Sequence, residues 1–273
     1  MSKIRSVAKR AIDCWMPSVG QAYRSLREER SALAPALPTP FGFKLAGNTM
    51  MASGIFEKKE IDLFLKHLQR ASACIDIGAN IGLYTCLAAR HGKHVVAIEP
   101  MPSNLKLLYR NLVRNDFADV EVFPLALSSA GGILRIFGDG TAASLLQGWA
   151  GASEKLYKIV PVTTLDVIVN TRFDGLPLLI KLDVEGFEIE VLKGAQHTLS
   201  LNPRPIWLVE IVLNEHFPGG LNRRFYETFE LFWRRGYHAT TADDEQRPVQ
   251  PDHVSRWAKQ GSVDFGSQNY LFS

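Results

Sequence analysis

Residues 74–84 read Cys74-Ile-Asp-Ile-Gly-Ala-Asn-Ile-Gly-Leu-Tyr84. An apolar run contains Asp76 near its end, a glycine turn follows at Gly78, and Gly82 comes just before an amphipathic segment. This order predicts a buried strand, a tight turn and a helix, because glycine adopts backbone conformations that other residues rarely adopt. The stretch therefore predicts the kind of strand–turn–helix corner at which open α/β sheets bind ligands.

Short apolar runs alternate with longer amphipathic segments along the rest of the chain. This alternation is typical of a mainly parallel sheet with crossover helices. It predicts strands over residues 73–77, 94–98, 120–124, 178–182, 206–211 and 269–272. Helices are predicted over about 82–91, 102–115, 186–200 and 221–235, with Ser103 and Asn222 as caps, and a β insertion over 133–137 and 159–162.

Composition is that of a globular protein. The chain has 273 residues, of which 46% are hydrophobic and 22% charged, so that a sizeable core is available. No run approaches the ~18 apolar residues that a membrane span needs, and residues 1–30 lack the apolar region of a signal peptide. Cys74 and Cys86 lie in apolar runs, which predicts buried free thiols. We therefore expect a cytoplasmic location.

Basic residues are concentrated at the N-terminus. Seven of the 31 Lys and Arg residues but only three of the 28 acidic ones lie in residues 1–30, so that this segment carries a net charge of +4 and the rest of the chain −1. A nucleic-acid binder normally carries a basic face across its fold. The nearly neutral body therefore argues against nucleic acid as a partner.

The N-terminal segment also has a helical pattern. An apolar stripe runs from Ile4 to Trp15, and Pro17 ends it. Such a basic amphipathic helix can pack on the body, join two subunits of a homodimer, or lie on an anionic membrane surface through residues 1–16. A proline-rich connector follows at residues 34–40, so that we predict an N-terminal region over 1–40 and one domain over 41–273.

An acidic residue follows the second predicted strand. Glu99 lies 17 residues after Gly82, where it can accept hydrogen bonds from both ribose hydroxyls of an adenosine-type cofactor. The G-x-G-x-x-G pattern of dinucleotide folds and the G-x-x-x-x-G-K-[ST] phosphate loop are absent, which disfavours a nicotinamide oxidoreductase. Asp76 would repel a phosphate but suits an ammonium or sulfonium group. The residues therefore favour S-adenosylmethionine.

Seven blocks, in order and at sensible spacing, resemble the FkbM family of S-adenosylmethionine-dependent methyltransferases. They are Gly54-Ile-Phe-Glu57, Asp76-Ile-Gly-Ala-Asn-Ile-Gly82, Glu99-Pro-Met-Pro-Ser-Asn104, Pro124-Leu-Ala-Leu127, Thr164-Leu-Asp166, Ile180-Lys-Leu-Asp-Val-Glu-Gly-Phe-Glu188 and Val209-Glu-Ile211. The resemblance implies a Rossmann-like class I methyltransferase fold of the α/β class, with a mainly parallel seven-stranded sheet and helices on both faces. It also implies methyl transfer to a hydroxyl of a carbohydrate or secondary metabolite, so that the expected partner is a small-molecule or glycan acceptor.

The resemblance further implies a set of cofactor-binding residues. They lie at the ends of the first three strands: Asp76, Gly78, Asn80 and Gly82 on the methionyl side, Glu99 at the ribose, Leu125 and Ala126 beside the adenine, and their neighbours Ala79 and Pro100. Asn104 is a further cofactor-binding candidate; the alternative is that it caps or braces the second helix.

Acid–base candidates follow the fourth and fifth strands. Asp183 and Glu185 lie at the mouth of the predicted cofactor site, where Asp183 is a candidate for both catalysis and cofactor binding. An acidic residue also stabilises a helix N-terminus, which is the alternative role for Glu185. Glu210 and His216 complete the catalytic candidates, and Lys181 either neutralises these acids or contacts substrate.

No spaced ligand motif supports a metal, so none is predicted. The alternative function is a non-catalytic scaffold that keeps the cofactor fold at a membrane or on a partner protein. The acidic residues Asp76, Glu99 and Asp183 disfavour it, because a scaffold has no need of them.

Overall fold

The computed structural model describes residues 34–273, so that the predicted N-terminal helix lies outside the described residues. The strands are β1 Leu37–Pro38, β2 Lys44–Leu45, β3 Ala73–Ile77, β4 His94–Ile98, β5 Glu121–Phe123, β6 Ala126–Leu127, β7 Gly132–Phe137, β8 Tyr157–Thr163, β9 Leu178–Leu182, β10 Ile206–Glu210, β11 Ala239–Thr241, β12 Pro248–Val249 and β13 Asn269–Phe272. The α-helices are α1 Thr49–Ser53, α2 Lys58–Leu68, α3 Leu83–Arg90, α4 Pro102–Arg114, α5 Leu165–Val169, α6 Glu188–Lys193, α7 Phe225–Trp233 and α8 Pro251–Gln260.

The main sheet has eight strands in the order β12-β11-β13-β10-β9-β3-β4-β5. Strands β5, β4, β3, β9 and β10 pair in parallel, and β13 runs antiparallel to both β10 and β11. The predicted mainly parallel sheet is confirmed, and the two-residue strand β12 extends it beyond the seven strands expected. The chain moves outward from β3 to β4 and β5 and then returns to β9, so that a switch point lies beside the carboxyl end of β3.

Apolar side chains cover both faces of this sheet. On one face, Ile75 and Ile77 of β3 join a cluster with α5, α6, α7 and α8. On the other face, Cys74 joins a cluster with α1, α2, α3 and α4. This alternation along β3 confirms the prediction of helices on both faces. Cys74 and Cys86 are buried free thiols, as predicted.

The predicted β insertion is a separate three-stranded sheet in the order β6-β8-β7. Strands β7 and β8 form an antiparallel pair. Ile136, Val160 and Val162 of this pair pack on Met101 and Ala126. Because Met101 and Ala126 directly follow the ends of β4 and β5, this packing places the insertion beside the carboxyl edge of the main sheet.

Three predictions of helix limits and caps were wrong. The helix expected over 186–200 begins at Glu188 and ends at Lys193. Gly194 follows it and passes so close to the Ser128 carbonyl oxygen that a Cβ there would lie 2.2 Å away. Ser103 does not cap α4, since Pro102 occupies the first turn and Met101 precedes it. Asn222 accepts from the Arg224 N–H at 2.9 Å, but α7 begins only at Phe225.

The region around residue 40 forms a hairpin. Leu37 pairs with Leu45 and Pro38 with Lys44, so that the predicted boundary at residue 40 falls between two paired strands. No helix within residues 34–273 has both the length and the apolar character needed to cross a bilayer.

Candidate active site

A cavity of about 340 Å³ opens at the carboxyl edge of the main sheet. Its floor is formed by residues that follow β3, β4, β9 and β10. Its opposite wall comes from the insertion, through Ile136 of β7 and through Ala143, Leu145 and Trp149 of the loop between β7 and β8. The volume is within the usual range for small-molecule sites. Of the predicted site residues, all but Gly82 line this cavity.

The glycine loop after β3 crosses the backbone that follows β9. The N–H groups of Gly78 and Ala79 donate to the Ile98 carbonyl at 2.9 and 3.0 Å. Gly78 has φ +82°, and a Cβ there would lie 1.8 Å from the Asp183 carbonyl oxygen. Only glycine fits this crossing, so that the loop and Asp183 are held in fixed relation.

Gly82 begins α3 with φ +90° and lies beside the cavity. A Cβ there would meet a Leu108 methyl group at 2.4 Å, so that close helix packing accounts for this glycine. Asn80 is also left-handed, with φ +53°. Its Oδ1 atom is buried and has no hydrogen-bond partner within residues 34–273. That oxygen is an acceptor that a ligand in the cavity can satisfy.

Glu99 is buried at the end of β4 and accepts three hydrogen bonds. Its Oε2 accepts from the Asn80 N–H at 2.8 Å, and its Oε1 from the Met101 N–H at 2.8 Å and from Asn104 Nδ2 at 3.3 Å. Burial raises the pKa of Glu99 to about 7, although these hydrogen bonds oppose the rise. Asn104 also donates to the Gly140 carbonyl at 3.2 Å, so that it braces Glu99 against the insertion.

Lys181 lies at the centre of the acidic residues. Its Nζ is 2.8 Å from Asp183 Oδ2 and 4.7 Å from the centre of the Tyr84 ring. Burial lowers the pKa of Lys181, but the charges of Asp183 and Glu57 outweigh burial and keep the pKa above its usual value. On the adjacent strand, Asp76 pairs with Lys181 in register and accepts from the Thr85 hydroxyl at 2.6 Å. Burial raises the pKa of Asp76.

Asp183 and Glu210 share a hydrogen bond between their carboxyl groups. Burial raises the pKa of Asp183, but Lys181 outweighs this effect and holds the pKa below its usual range. Burial and the neighbouring Asp183 charge raise the pKa of Glu210 well above its usual value. Of the two carboxyl groups, Glu210 therefore holds its proton more tightly and donates it to the hydrogen bond with Asp183.

Glu185 is held by residues of the loop between β7 and β8. The Trp149 indole N–H donates to Glu185 Oε2 at 2.8 Å, and the Ser144 hydroxyl donates to the Glu185 carbonyl at 2.6 Å. A Cβ on Gly186 would lie 2.5 Å from the indole ring, so that Trp149 fits only against glycine. Burial, assisted by the Asp183 charge, raises the pKa of Glu185 to about 8.

Glu188, the first residue of α6, holds the loop that precedes the helix. The Glu188 carboxylate accepts from the N–H groups of Gly186 at 2.9 Å and Val184 at 3.3 Å, at the first turn of α6. Burial raises the pKa of Glu188 to about 7. Glu185 instead lines the cavity.

His216 lies at the rim of the cavity with half of its side chain exposed. Its ring packs edge to face on Trp149, with 5.6 Å between ring centres, and its carbonyl accepts from the Ala150 N–H at 2.8 Å. Its Nε2 is 3.8 Å from a carboxylate oxygen of Glu215. Over the described part of the chain, no three His, Cys, Asp or Glu side chains converge in a way that could hold a metal ion.

Of the cavity residues that were not predicted, Glu57 and Trp149 hold or contact the functional side chains. Glu57, just before α2, accepts from the Tyr84 hydroxyl at 2.8 Å, and burial raises its pKa despite the nearby Lys181. The sequence feature that could have identified Glu57 is its place in the block Gly54-Ile-Phe-Glu57. Trp149 gave no such signal, because it lies in an irregular loop, 36 residues from the carboxylate that it contacts.

Two curated proteins resemble part of this chain. The hexuronic acid methyltransferase AglP of Haloferax volcanii is 31% identical over 145 residues, which are 52% of this chain and 58% of that protein. The methyltransferase sdnD of Sordaria araneosa is 32% identical over 152 residues, which are 44% of this chain and 59% of that protein. The chain thus spans less than two thirds of the length of either relative.

Solved methyltransferase structures match most of this chain at low sequence identity. A putative O-methyltransferase from Klebsiella pneumoniae matches 98% of this chain and 94% of its own, with 12% identity and a TM-score of 0.46. A TehB-like SAM-dependent methyltransferase from Corynebacterium glutamicum matches 82% and 90%, with 14% identity and a TM-score of 0.45. Both TM-scores are below 0.5, so the fold assignment rests on the strand order and on the family match.

The family match covers most of the sheet and its cavity. The model of the methyltransferase FkbM domain matches residues 76–239. These residues begin at the aspartate that precedes the glycine loop and run through Glu99, Asp183 and Glu210. The chain therefore belongs to the FkbM methyltransferase family, in agreement with the blocks identified in its sequence.

Proposed function

We propose that this protein is an S-adenosylmethionine-dependent O-methyltransferase that acts on a hydroxyl of a carbohydrate or secondary metabolite. The proposal rests on one cavity in which two glutamates, Glu99 and Glu185, have different surroundings. Glu99, with the unsatisfied Asn80 oxygen beside it, offers acceptors to the hydroxyls of a nucleoside. Glu185, which follows β9 and is held by Trp149 of the insertion, offers a carboxyl that can take up a proton near neutral pH.

The residues at the ends of β3, β4 and β5 fit the proposed cofactor. Glu99 would hold the ribose, Leu125 and Ala126 would border the adenine, and Asp76 would face the positively charged methionyl part. When bound, S-adenosylmethionine supplies an electrophilic methyl group on a sulfonium. The chain's own task is to orient the acceptor hydroxyl and to remove its proton.

Glu185 is the acid that best suits proton removal. The pKa of Asp183 is low because Lys181 stabilises its charge, so that Asp183 is a weak base. Burial and the Asp183 charge raise the pKa of Glu210, and its proton is engaged in the hydrogen bond with Asp183, so that Glu210 is poorly suited to take up a second proton. Glu185, with a pKa near 8, is a stronger base once ionised. His216 stays the second candidate, at the exposed rim.

A carbohydrate acceptor has one further support. The relative from Haloferax volcanii is named for a hexuronic acid, which is a sugar derivative. The name of the relative from Sordaria araneosa gives no acceptor. A sugar hydroxyl is therefore the first acceptor class to test on this chain.

Thermal unfolding in the presence of ligands tests the cofactor. S-adenosylmethionine and S-adenosylhomocysteine at ~100 times their Kd would each add roughly 2.7 kcal/mol of stability, which raises Tm by about 5–10 °C. NADH is expected to give no shift. Glu99→Gln would reduce the Tm shift. The control is Glu121→Gln; Glu121 lies on β5 outside the cavity, so that this substitution would leave the Tm shift unchanged.

A shift with neither sulfur compound would refute the proposal and favour the non-catalytic scaffold. Once a methylated acceptor is found, transfer of a ¹³C-labelled methyl group identifies the bond that forms. The NMR signal of an O-methyl group is expected. An N-methyl signal would keep the cofactor assignment and refute the acceptor class.

A further inference from the structure

The cavity is rich in carboxyl groups besides those of Asp76 and Glu99. Glu57, Asp183, Glu185, Glu210 and Glu215 all line it. In the described part of the chain, Lys181 is the one lysine or arginine among the lining residues. The acceptor therefore enters a site with a large excess of acidic groups.

Lys181 is not available to an acceptor. It is 4% exposed, its Nζ is 2.8 Å from Asp183 Oδ2, and it also lies over the Tyr84 ring. Glu57 and Glu185 accept hydrogen bonds from uncharged donors. The Tyr84 hydroxyl donates to Glu57, and the Trp149 indole donates to Glu185. These two carboxyl groups thus have hydrogen bonds but no cation of their own.

On the basis of the function proposed above, we infer that the acceptor carries an ammonium group close to the hydroxyl that is methylated, as in an amino sugar or an amino alcohol. Glu57 and Glu185 determine this specificity. An anionic acceptor offers no hydrogen-bond donor to these carboxyl groups and would oppose their ionisation in a partly buried site, which costs affinity. This chain would then differ from its relative named for a hexuronic acid, whose acceptor carries a carboxylate.

Binding of a cationic methyl acceptor would also change the protonation state of Glu185. Burial and the charge of Asp183 hold the pKa of Glu185 near 8, so that most of it is protonated at pH 7. An ammonium group nearby favours the ionised form. Binding of the acceptor would therefore convert Glu185 into the form that takes up the proton.

Three probes with the same sugar ring test the charge preference. They are the methyl glucosides that carry an ammonium, a hydroxyl or a carboxylate at carbon 6, titrated into the full-length protein saturated with S-adenosylhomocysteine and followed by saturation-transfer NMR. We expect the ammonium probe to bind best and the carboxylate probe at least about tenfold more weakly. Added salt would reduce the difference.

Variants connect the preference to the two acids. Glu57→Gln and Glu185→Gln each keep a side-chain oxygen for the Tyr84 or Trp149 donor and remove the ionisable group. Each is therefore expected to reduce the ratio of the affinities for the ammonium and carboxylate probes several-fold. The control is Asp62→Asn on α2, whose side chain is 54% exposed and paired with Lys58; it removes one charge outside the cavity and is expected to change nothing.

The outcomes separate this inference from the function on which it rests. Failure of S-adenosylhomocysteine to bind in calorimetry would refute the proposed function itself. With that ligand bound, equal or tighter binding of the carboxylate probe, no binding of the ammonium probe, or a preference unchanged in both variants would overturn the inference alone.

Discussion

Replacement of Lys181 by methionine is expected to destabilise the protein strongly and in a pH-dependent way. Removal of one member of a buried ion pair costs about 3–5 kcal/mol, because the remaining charge stays buried. Asp183 keeps 25% of its side chain exposed, so that the lower end, about 3 kcal/mol, applies. At about 2–4 °C per kcal/mol for a chain of this size, Tm at pH 7.5 would fall by about 6–12 °C.

The loss is expected to shrink at lower pH. Without Lys181, the pKa values of Asp183, Asp76 and Glu57 rise in the folded state above their values in the unfolded chain. A raised carboxyl pKa means that the folded state binds protons more tightly, so that stability is gained as pH falls. Between pH 7.5 and pH 5, the Tm difference between Lys181→Met and the parent protein would therefore narrow.

The assay is thermal unfolding of both proteins at the two pH values. The control is Lys193→Met, which breaks a pair of 3.4 Å with Glu190 on a side chain that is 35% exposed; it would cost no more than about 0.5 kcal/mol at either pH. A loss below about 1 kcal/mol for Lys181→Met, or one that is the same at pH 5 and pH 7.5, would show that the buried acids do not depend on this lysine.

Three further predictions concern the site and its loop. The methylation rate is expected to rise with pH and to level off above about 8, as Glu185 ionises, and Glu185→Gln would abolish this limb in a pH–rate profile. Trp149→Phe removes a hydrogen bond that lowers the pKa of Glu185, so that the same limb would move to higher pH; an unmoved limb would rule out the indole's influence. Gly78→Ala would cost about 2–4 kcal/mol in chemical denaturation, from the contact with Asp183 and the left-handed backbone. Gly92→Ala has a similar φ of +67° but open space and would lose only about 1 kcal/mol; equal losses would contradict the clash.

The strands could be predicted where apolar runs are long and glycine or acidic residues end them. The limits of β3, β4, β9 and β13 agree with the sequence prediction, because each strand is buried along most of its length. Helix α8 and strands β11 and β12 had no comparable signal. Within α8 only Val254 and Trp257 are buried, too few to give a clear period.

The sequence located the cavity residues that follow β3, β4 and β5, but only part of those around Glu57 and Glu185. The residues proposed to bind the cofactor are close in sequence to strand ends, and motif spacing therefore places them at the cavity. The acceptor side depends on contacts between distant segments: Trp149 with Glu185, and Tyr84 with Glu57 over 27 residues. Their positions follow from the packing of the insertion and of α2, which the sequence pattern does not encode.

The hydrogen bonds from Ser144 and Trp149 to Glu185 connect the insertion to the proposed proton acceptor. The loop that shapes one wall of the cavity also holds the carboxyl group proposed to take up the proton, through Ser144 and Trp149. An engineer who exchanges this insertion to admit a different acceptor would at the same time change the pH at which the enzyme works best. Acceptor range and working pH are thus inherited together, while the glycine loop, fixed by its crossing with Asp183, stays as it is.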